Sequence, residues 1–328
     1  MGKFICAIAA LLLALAGCAG NKHSEAAPPE TPPAAHPAPE ADSLYAFAAE
    51  QVALGPRVPG SEASRRCAEL FERRLEAFGA DTVMRHEAQV TFHDGSKATA
   101  RNILGRFNPE ATRRVLLLAH YDSRPWADQD PDPANRDKPI DGANDGASGA
   151  AVLLETARLL GQQRPDSLGV DLLFVDAEDS GNSDPYASDT ELTWCLGTQA
   201  WVKDMPYTAA DKPRYAILLD MVGGRGARFH REYFSDRAAR AVVDKIWAAA
   251  ARAGHADRFP NSRGGSVVDD HIHISAAGIP CADIIETINP ETGSFNPTWH
   301  TTADNLTNID RETLRIVASV VADVLYNE

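Results

Sequence analysis

Val115-Leu116-Leu117-Leu118-Ala119-His120-Tyr121-Asp122-Ser123 is an unbroken apolar run that ends in an imidazole and a carboxylate. Consecutive apolar residues without alternation are the pattern of a strand buried on both faces, as in a parallel sheet covered by helices. Val170 to Val175 and Tyr215 to Leu219 are read as further buried strands, followed by Asp176-Ala177-Glu178-Asp179 and by Asp220. Cys281 to Ile285 reads as another strand, and 81–92 and 100–107 as the two arms of a hairpin. Apolar residues at helical spacing predict helices over 43–54, 61–78, 146–160, 195–203, 236–252 and 310–325. Ser61 is a plausible N-cap, although Ser64 stands where a capping box wants Glu or Gln. Strands alternating with helices predict an α/β fold, a mostly parallel twisted central sheet with helices on both faces. In such sheets ligands bind beyond the carboxyl ends of the strands. His120, Asp176 to Asp179 and Asp220 all fall there.

The residue types at those ends point to a metal. Zn²⁺ takes oxygen and nitrogen ligands, and a catalytic site usually keeps one position open beside three of them. Each residue also has an ordinary reading. Asp145, in Gly142-Ala143-Asn144-Asp145-Gly146, opens a helix and could be an N-cap. Glu178 and Asp179 could be a surface turn, yet two adjacent carboxylates can also divide the work, one ligating and one acting as a base. His300, between Trp299 and Thr301, lies in a loop, where a lone His is usually no ligand. Asp269-Asp270-His271 could be a solvated turn. Asp220 closes an apolar strand, where an unpaired carboxylate is costly. The joint occurrence in this order says more than any member.

The beginning of the chain reads as an address. Lys3 precedes an apolar stretch from Phe4 to Ala16, too short to span a bilayer. It ends Leu15-Ala16-Gly17-Cys18, which resembles a bacterial lipobox and implies cleavage before Cys18 with a lipid on its sulfur. An ordinary secretory signal is the plainer alternative, and both mean export. Ala19 after Cys18 favours the outer membrane by resemblance to lipoprotein sorting rules. Residues 1–17 are therefore expected to be a signal peptide, 18–42 a lipidated Cys with a Pro/Ala-rich tether, and 43–328 one α/β catalytic domain. A formal net charge of −14, with no basic run, excludes nucleic acid as a partner. Cys67, Cys195 and Cys281 lie in the expected domain, as one disulfide with a free thiol or as three thiols. No CxxC pair offers a metal site.

His120-Tyr121-Asp122-Ser123, Gly142 to Gly149, Asp176-Ala177-Glu178-Asp179, Leu219-Asp220 and Trp299-His300-Thr301 together resemble the zinc aminopeptidase superfamily. Four further segments resemble the animal-type glutaminyl-peptide cyclotransferases within it. They are Asp122-Ser123-Arg124-Pro125-Trp126, Trp194 to Gln199, Asp269-Asp270-His271-Ile272 and the Trp before His300. The resemblance runs from about Ser43 to the C-terminus. It implies one Zn²⁺ per chain held by Asp145, Asp179 and His300. It makes Glu178 the general acid/base and Asp220 with Asp269 a hydrogen-bonded carboxyl pair. It assigns Trp299 and Phe295 to the glutamine pocket. His120 matches a second-zinc ligand of the aminopeptidases, a residue the cyclases keep without a second metal. Asp179 stands where the animal enzymes have Glu, and their Trp shortly after that position has no match among residues 180–184. Trp194 is expected to fill that place from elsewhere. The animal disulfide pair has no match.

The implied activity converts the N-terminal glutamine of peptides to pyroglutamate and releases ammonia. The alternatives are a metallo-aminopeptidase with His120, Asp145 and Asp220 around a second metal, and a surface lipoprotein that binds peptides without catalysis. Glu178 argues against the last, since a binder needs no base beside a metal ligand.

Overall fold

A computed structural model describes residues 36–184, 186–188 and 190–328. The leader, Cys18 and the tether up to residue 35 lie outside the described residues. In chain order the elements are α1 (Ala41–Val52), α2 (Glu62–Ala77), β1 (Thr82–Thr91), β2 (Lys97–Phe107), β3 (Arg113–His120), α3 (Ala147–Gln162) and β4 (Leu168–Val175). They continue with α4 (Leu196–Trp201), β5 (Tyr215–Leu219), α5 (Tyr233–Ala238), α6 (Arg240–Arg252), α7 (Asp270–Ala276), β6 (Cys281–Ile284) and α8 (Arg311–Tyr326).

The six strands form one sheet in the order β1-β2-β4-β3-β5-β6. β4, β3, β5 and β6 run parallel, while the β1–β2 hairpin joins antiparallel at the β4 edge. The apolar run that opened the reading shows why both faces must be covered. Val115, Leu117 and Ala119 of β3 enter a core with residues of α1, α2, α3, α6 and α8. Leu116 and Leu118 enter a second core with Trp201 of α4 and Ile274 of α7. Period-two side chains on a strand apolar throughout require a layer of helix on each side.

Ser61 caps α2 by accepting the Ser64 N–H, as expected. One local expectation fails, and two of the ordinary readings do not hold. The helix expected over 236–252 is two helices that meet at Ala239, whose φ of −137° and ψ of 35° interrupt the spiral. Asp269-Asp270-His271 is no solvated turn. Asp269 accepts the Asp270 N–H as N-cap of α7, and all three residues are buried. Asp145 caps nothing: Gly146, at φ +118°, occupies the cap position of α3 without a side-chain bond. Cys67, Cys195 and Cys281 are buried free thiols.

Two glycines bring α3 against the sheet. A side chain on Gly146 would strain a left-handed backbone and strike the His120 ring at 2.8 Å. Gly149 has ordinary helical geometry, but a Cβ there would lie 2.1 Å from the Leu219 carbonyl oxygen. Arg57, fully buried, ties the loop before α3 to β3 by donating to the carbonyls of Tyr121 (2.8 Å), Asp141 (2.6 Å) and Gly142 (2.7 Å).

Gly149→Ala should therefore lift the start of α3 from β5. The expected loss is about 1–3 kcal/mol of stability, read from urea denaturation at fixed zinc. An unchanged midpoint would show that the close approach relaxes freely.

Candidate metal centre

Each chemistry-bearing segment is set by its own backbone device. After β4 the chain turns sharply at Ala177, whose φ of 58° is left-handed. The buried Asp122 carboxylate then accepts the N–H groups of Glu178 and Asp179, each at 3.1 Å. Asp304 does the same for the loop before α3, accepting the N–H of Asn144 at 2.8 Å and of Asp145 at 3.0 Å. Met221 after β5 and His300 in its loop are also left-handed, with φ of 48° and 55°. The side chains that follow these devices converge from separate segments.

Asp145, Asp179 and His300 offer ligand atoms within 4.8 Å of one another, all buried. His300 Nε2 lies 3.1 Å from Asp179 Oδ1 and 3.7 Å from Asp145 Oδ2. Ligand atoms around a tetrahedral zinc with bonds of about 2.0–2.1 Å are about 3.3 Å apart, so these separations suit that ion. Asp179 Oδ2 is buried without a hydrogen-bond donor. An orphaned oxygen on the carboxylate whose Oδ1 faces the His300 imidazole is what a cation would satisfy. The other His300 nitrogen, Nδ1, is 3.2 Å from Asp128 Oδ1. Arg124 donates to both Asp128 oxygens, at 2.7 and 3.1 Å. Burial alone would raise the Asp128 carboxyl, but His300 and Arg124 outweigh it and hold it well below the usual range.

His120 builds a neighbouring group. Its Nε2 is 3.1 Å from both Asp145 Oδ1 and Asp220 Oδ1, and its Nδ1 is 3.4 Å from Asp122. Burial opposes its charge, yet those three carboxylates hold its pKa well above the ordinary value. Asp145 thus has one oxygen toward His120 and the other toward His300.

Glu178 is buried, with the Cys195 thiol donating to its Oε1 at 3.4 Å. Burial pushes the Glu178 carboxyl well above its usual value, and Asp269 adds to that against the opposing His120. Asp269 stands with Cys195 behind Glu178. Its Oδ1 accepts the Asp270 N–H, and Oδ2 is buried without a donor. Burial and then the Asp220 charge push Asp269 up to about 7, and burial pushes Asp220 up to about 6. A bound dication would draw such groups down again.

The centre opens into a cavity of about 240 Å³ lined by Glu178, Asp179, Asp145, Asp220 and His300. Trp194, Phe295 and Trp299 form its aromatic wall. Trp299 stacks on His300 at 3.8 Å between ring centroids and meets Phe295 at 4.7 Å. Trp194 lies over Gly181, where a Cβ would stand 2.0 Å from the indole. The absent Trp after Asp179 thus coincides with a glycine that leaves room for an indole from another segment. Asp269 is the one expected site residue outside the lining. Sequence reasoning missed Asp128, Asp304 and the roles of Arg124 and Cys195. Their pairings span up to 172 residues or depend on burial, and no local pattern announces them.

The model of peptidase family M28 matches residues 102–325. The chain belongs to that family. A glutaminyl cyclase of Bacteroides thetaiotaomicron bound to N-acetylhistamine is 45% identical, covers 90% of this chain and 100% of its own, and superposes with a TM-score of 0.85. A zinc-dependent exopeptidase of Parabacteroides distasonis is 47% identical over 90% of this chain and 100% of its own, with a TM-score of 0.84. The bovine glutaminyl-peptide cyclotransferase is 27% identical, with 79% of this chain and 74% of that enzyme aligned. Membership of M28 and the zinc-dependent neighbour imply a metal, zinc, and the donor set described above fits it.

Asp128→Ala should weaken zinc binding by about 10–100-fold, because the His300 ring loses the partner that orients it. Competition against a chelator measures this; wild-type affinity would mean that the Asp128 contact does not orient the imidazole.

Proposed function

We infer that the protein is a glutaminyl-peptide cyclotransferase, an acyltransferase that converts the N-terminal glutamine of peptides to pyroglutamate and releases ammonia. The supporting observation is the compact cavity, in which Trp299 and Phe295 close one side of a space with Glu178 beside the Asp145–Asp179–His300 group. Cyclisation needs a side chain folded back on its own backbone nitrogen, and a small aromatic-walled space favours that folded shape. The similarity to glutaminyl cyclases supports the same reading.

Asp145, Asp179 and His300 would hold one zinc per chain, which when bound supplies Lewis-acid polarisation of the γ-carbonyl oxygen. Glu178 takes a proton from the substrate's α-ammonium, freeing the nitrogen. That nitrogen attacks Cδ, the carbon of the side-chain amide, closes a five-membered ring and loses its surplus proton to solvent. The bond from Cδ to the amide nitrogen breaks, and Glu178 returns its proton to the departing ammonia. Burial raises the Glu178 carboxyl above its usual value, which makes it a stronger base for taking the proton and lets it hold that proton until the ammonia leaves. Asp220 lines the cavity and holds the amide nitrogen; Asp269 lies outside the lining, and the two buried carboxyls, pushed up to about 6 and about 7, do not both ionise cheaply. Holding both reacting atoms in one residue-sized space supplies the proximity effect. Trp194, Phe295 and Trp299 orient the glutamine. Cys18, at the end of the apolar leader, would hold the exported domain to the outer membrane.

A second reading rests on one observation. His120, Asp145 and Asp220 also offer ligand atoms within 4.8 Å, the place for a second metal in a metallo-aminopeptidase.

Glu178→Gln should lower ammonia release from a Gln-initiated peptide by about 10²–10⁴-fold while zinc stays bound. A near wild-type rate would remove Glu178 from the acid/base role. Metal analysis of the purified protein should give about one zinc per chain. Two tightly bound zincs, with stepwise removal of residues from a Leu-initiated peptide, would hand the site to the aminopeptidase.

A further inference from the structure

Beside the aromatic-walled cavity lies a larger one of about 570 Å³, walled by Leu192, Phe234, Val268 and Ile272, with the exposed Glu191 and Arg237 at its edge. The two adjoin at Val268, which lines both. The partition between them is a built feature. The Gln199 side chain donates to the carbonyls of Leu192 (3.0 Å) and Trp194 (2.8 Å), pinning the turn that carries both. That turn sends Trp194 to the smaller cavity and Leu192 to the larger one. Glu232 holds the opposite wall: it accepts the Val267 N–H at 3.1 Å and caps α5, on which Phe234 stands.

Leu192 is 64% exposed and Phe234 37%, although both are large and apolar. Apolar surface collected in a groove and left open to water marks a place that another molecule covers. The smaller cavity, at about 240 Å³, falls below the roughly 300–1,000 Å³ usual for a whole ligand site. It suits one residue, so the peptide that follows must lie outside it. We propose that the larger groove receives the residues immediately after the N-terminal glutamine and selects substrates with apolar side chains at the second or third position. The inference rests on the cyclase reading and gives that site its substrate class.

The test compares kcat/KM for Gln-Leu-Leu-Gly and Gln-Gly-Gly-Gly by ammonia release, in the wild type and in Leu192→Ser and Phe234→Ser. The ratio of the two peptides on one preparation does not depend on the fraction of active enzyme. The wild type should favour the leucine peptide by about tenfold or more, mainly through KM, as burial of one apolar side chain allows. Each serine variant should bring that ratio toward one. Equal rates on both peptides in the wild type, or a preference untouched by both variants, would overturn the groove and leave the cyclase standing. A preference untouched in Phe234→Ser together with the loss of a wild-type dimer in sedimentation would make the groove a self-association surface instead. Ammonia from neither peptide would overturn the cyclase reading and this inference with it.

Discussion

Carboxylates crowded out of water at the ends of parallel strands are the constraint on which this molecule turns. Asp122, Asp145, Asp176, Glu178, Asp179, Asp220, Asp269 and Asp304 are all buried. Their mutual repulsion and lost hydration would be ruinous without compensation. Three kinds of compensation are visible. Asp122 and Asp304 each accept two backbone N–H groups. His120 and His300 stand between pairs of carboxylates. Part of the deficit remains, on Asp269 and Asp270 and on Asp179, where an orphaned oxygen in the Asp145–Asp179–His300 group matches a metal ion. The residues that hold the site's shape and those that would hold the ion therefore belong to one electrostatic system.

The same constraint explains the backbone. Asp122 can reach both Glu178 and Asp179 only because the chain reverses at Ala177 in a left-handed conformation. Asp145 can face His120 and His300 at once only because Gly146 and Gly149 let α3 begin hard against β3 and β5. The strain and the missing side chains of these segments are stored where the chemistry is, which is the usual place for them. The rigid parallel strands beneath supply the frame that tolerates it.

Much of this was legible without coordinates. Unbroken apolar runs such as Val115 to Ala119 carry their own demand for cover on both faces, and the six-stranded sheet answers it. The acidic segments after β3, β4 and β5 had to gather at one edge once the strands were parallel. Less legible was α7. Its polar start, Asp269-Asp270-His271, has the look of a solvated turn, yet all three residues are buried and Asp269 stands with Glu178 and Cys195. The long helix expected over 236–252 is divided at Ala239, a position without the glycine or proline that would announce a break. The partners of His300 and Asp145 were hidden because Asp128 and Asp304 are contacts of tertiary structure, not of spacing.

The sequence by itself determined the layering, the strand ends at which function collects, and the kinds of ligand available there. Those follow from local hydrophobicity and side-chain chemistry, which travel with each residue wherever the chain folds. Only the tertiary structure decided which carboxylate faces which imidazole, and that Trp194 covers the space above Gly181. It alone brought the groove of Leu192 and Phe234 beside the cavity of Trp299. Such choices depend on distances between segments far apart in the chain, set by the packing of helices on the sheet, and no single segment carries that information.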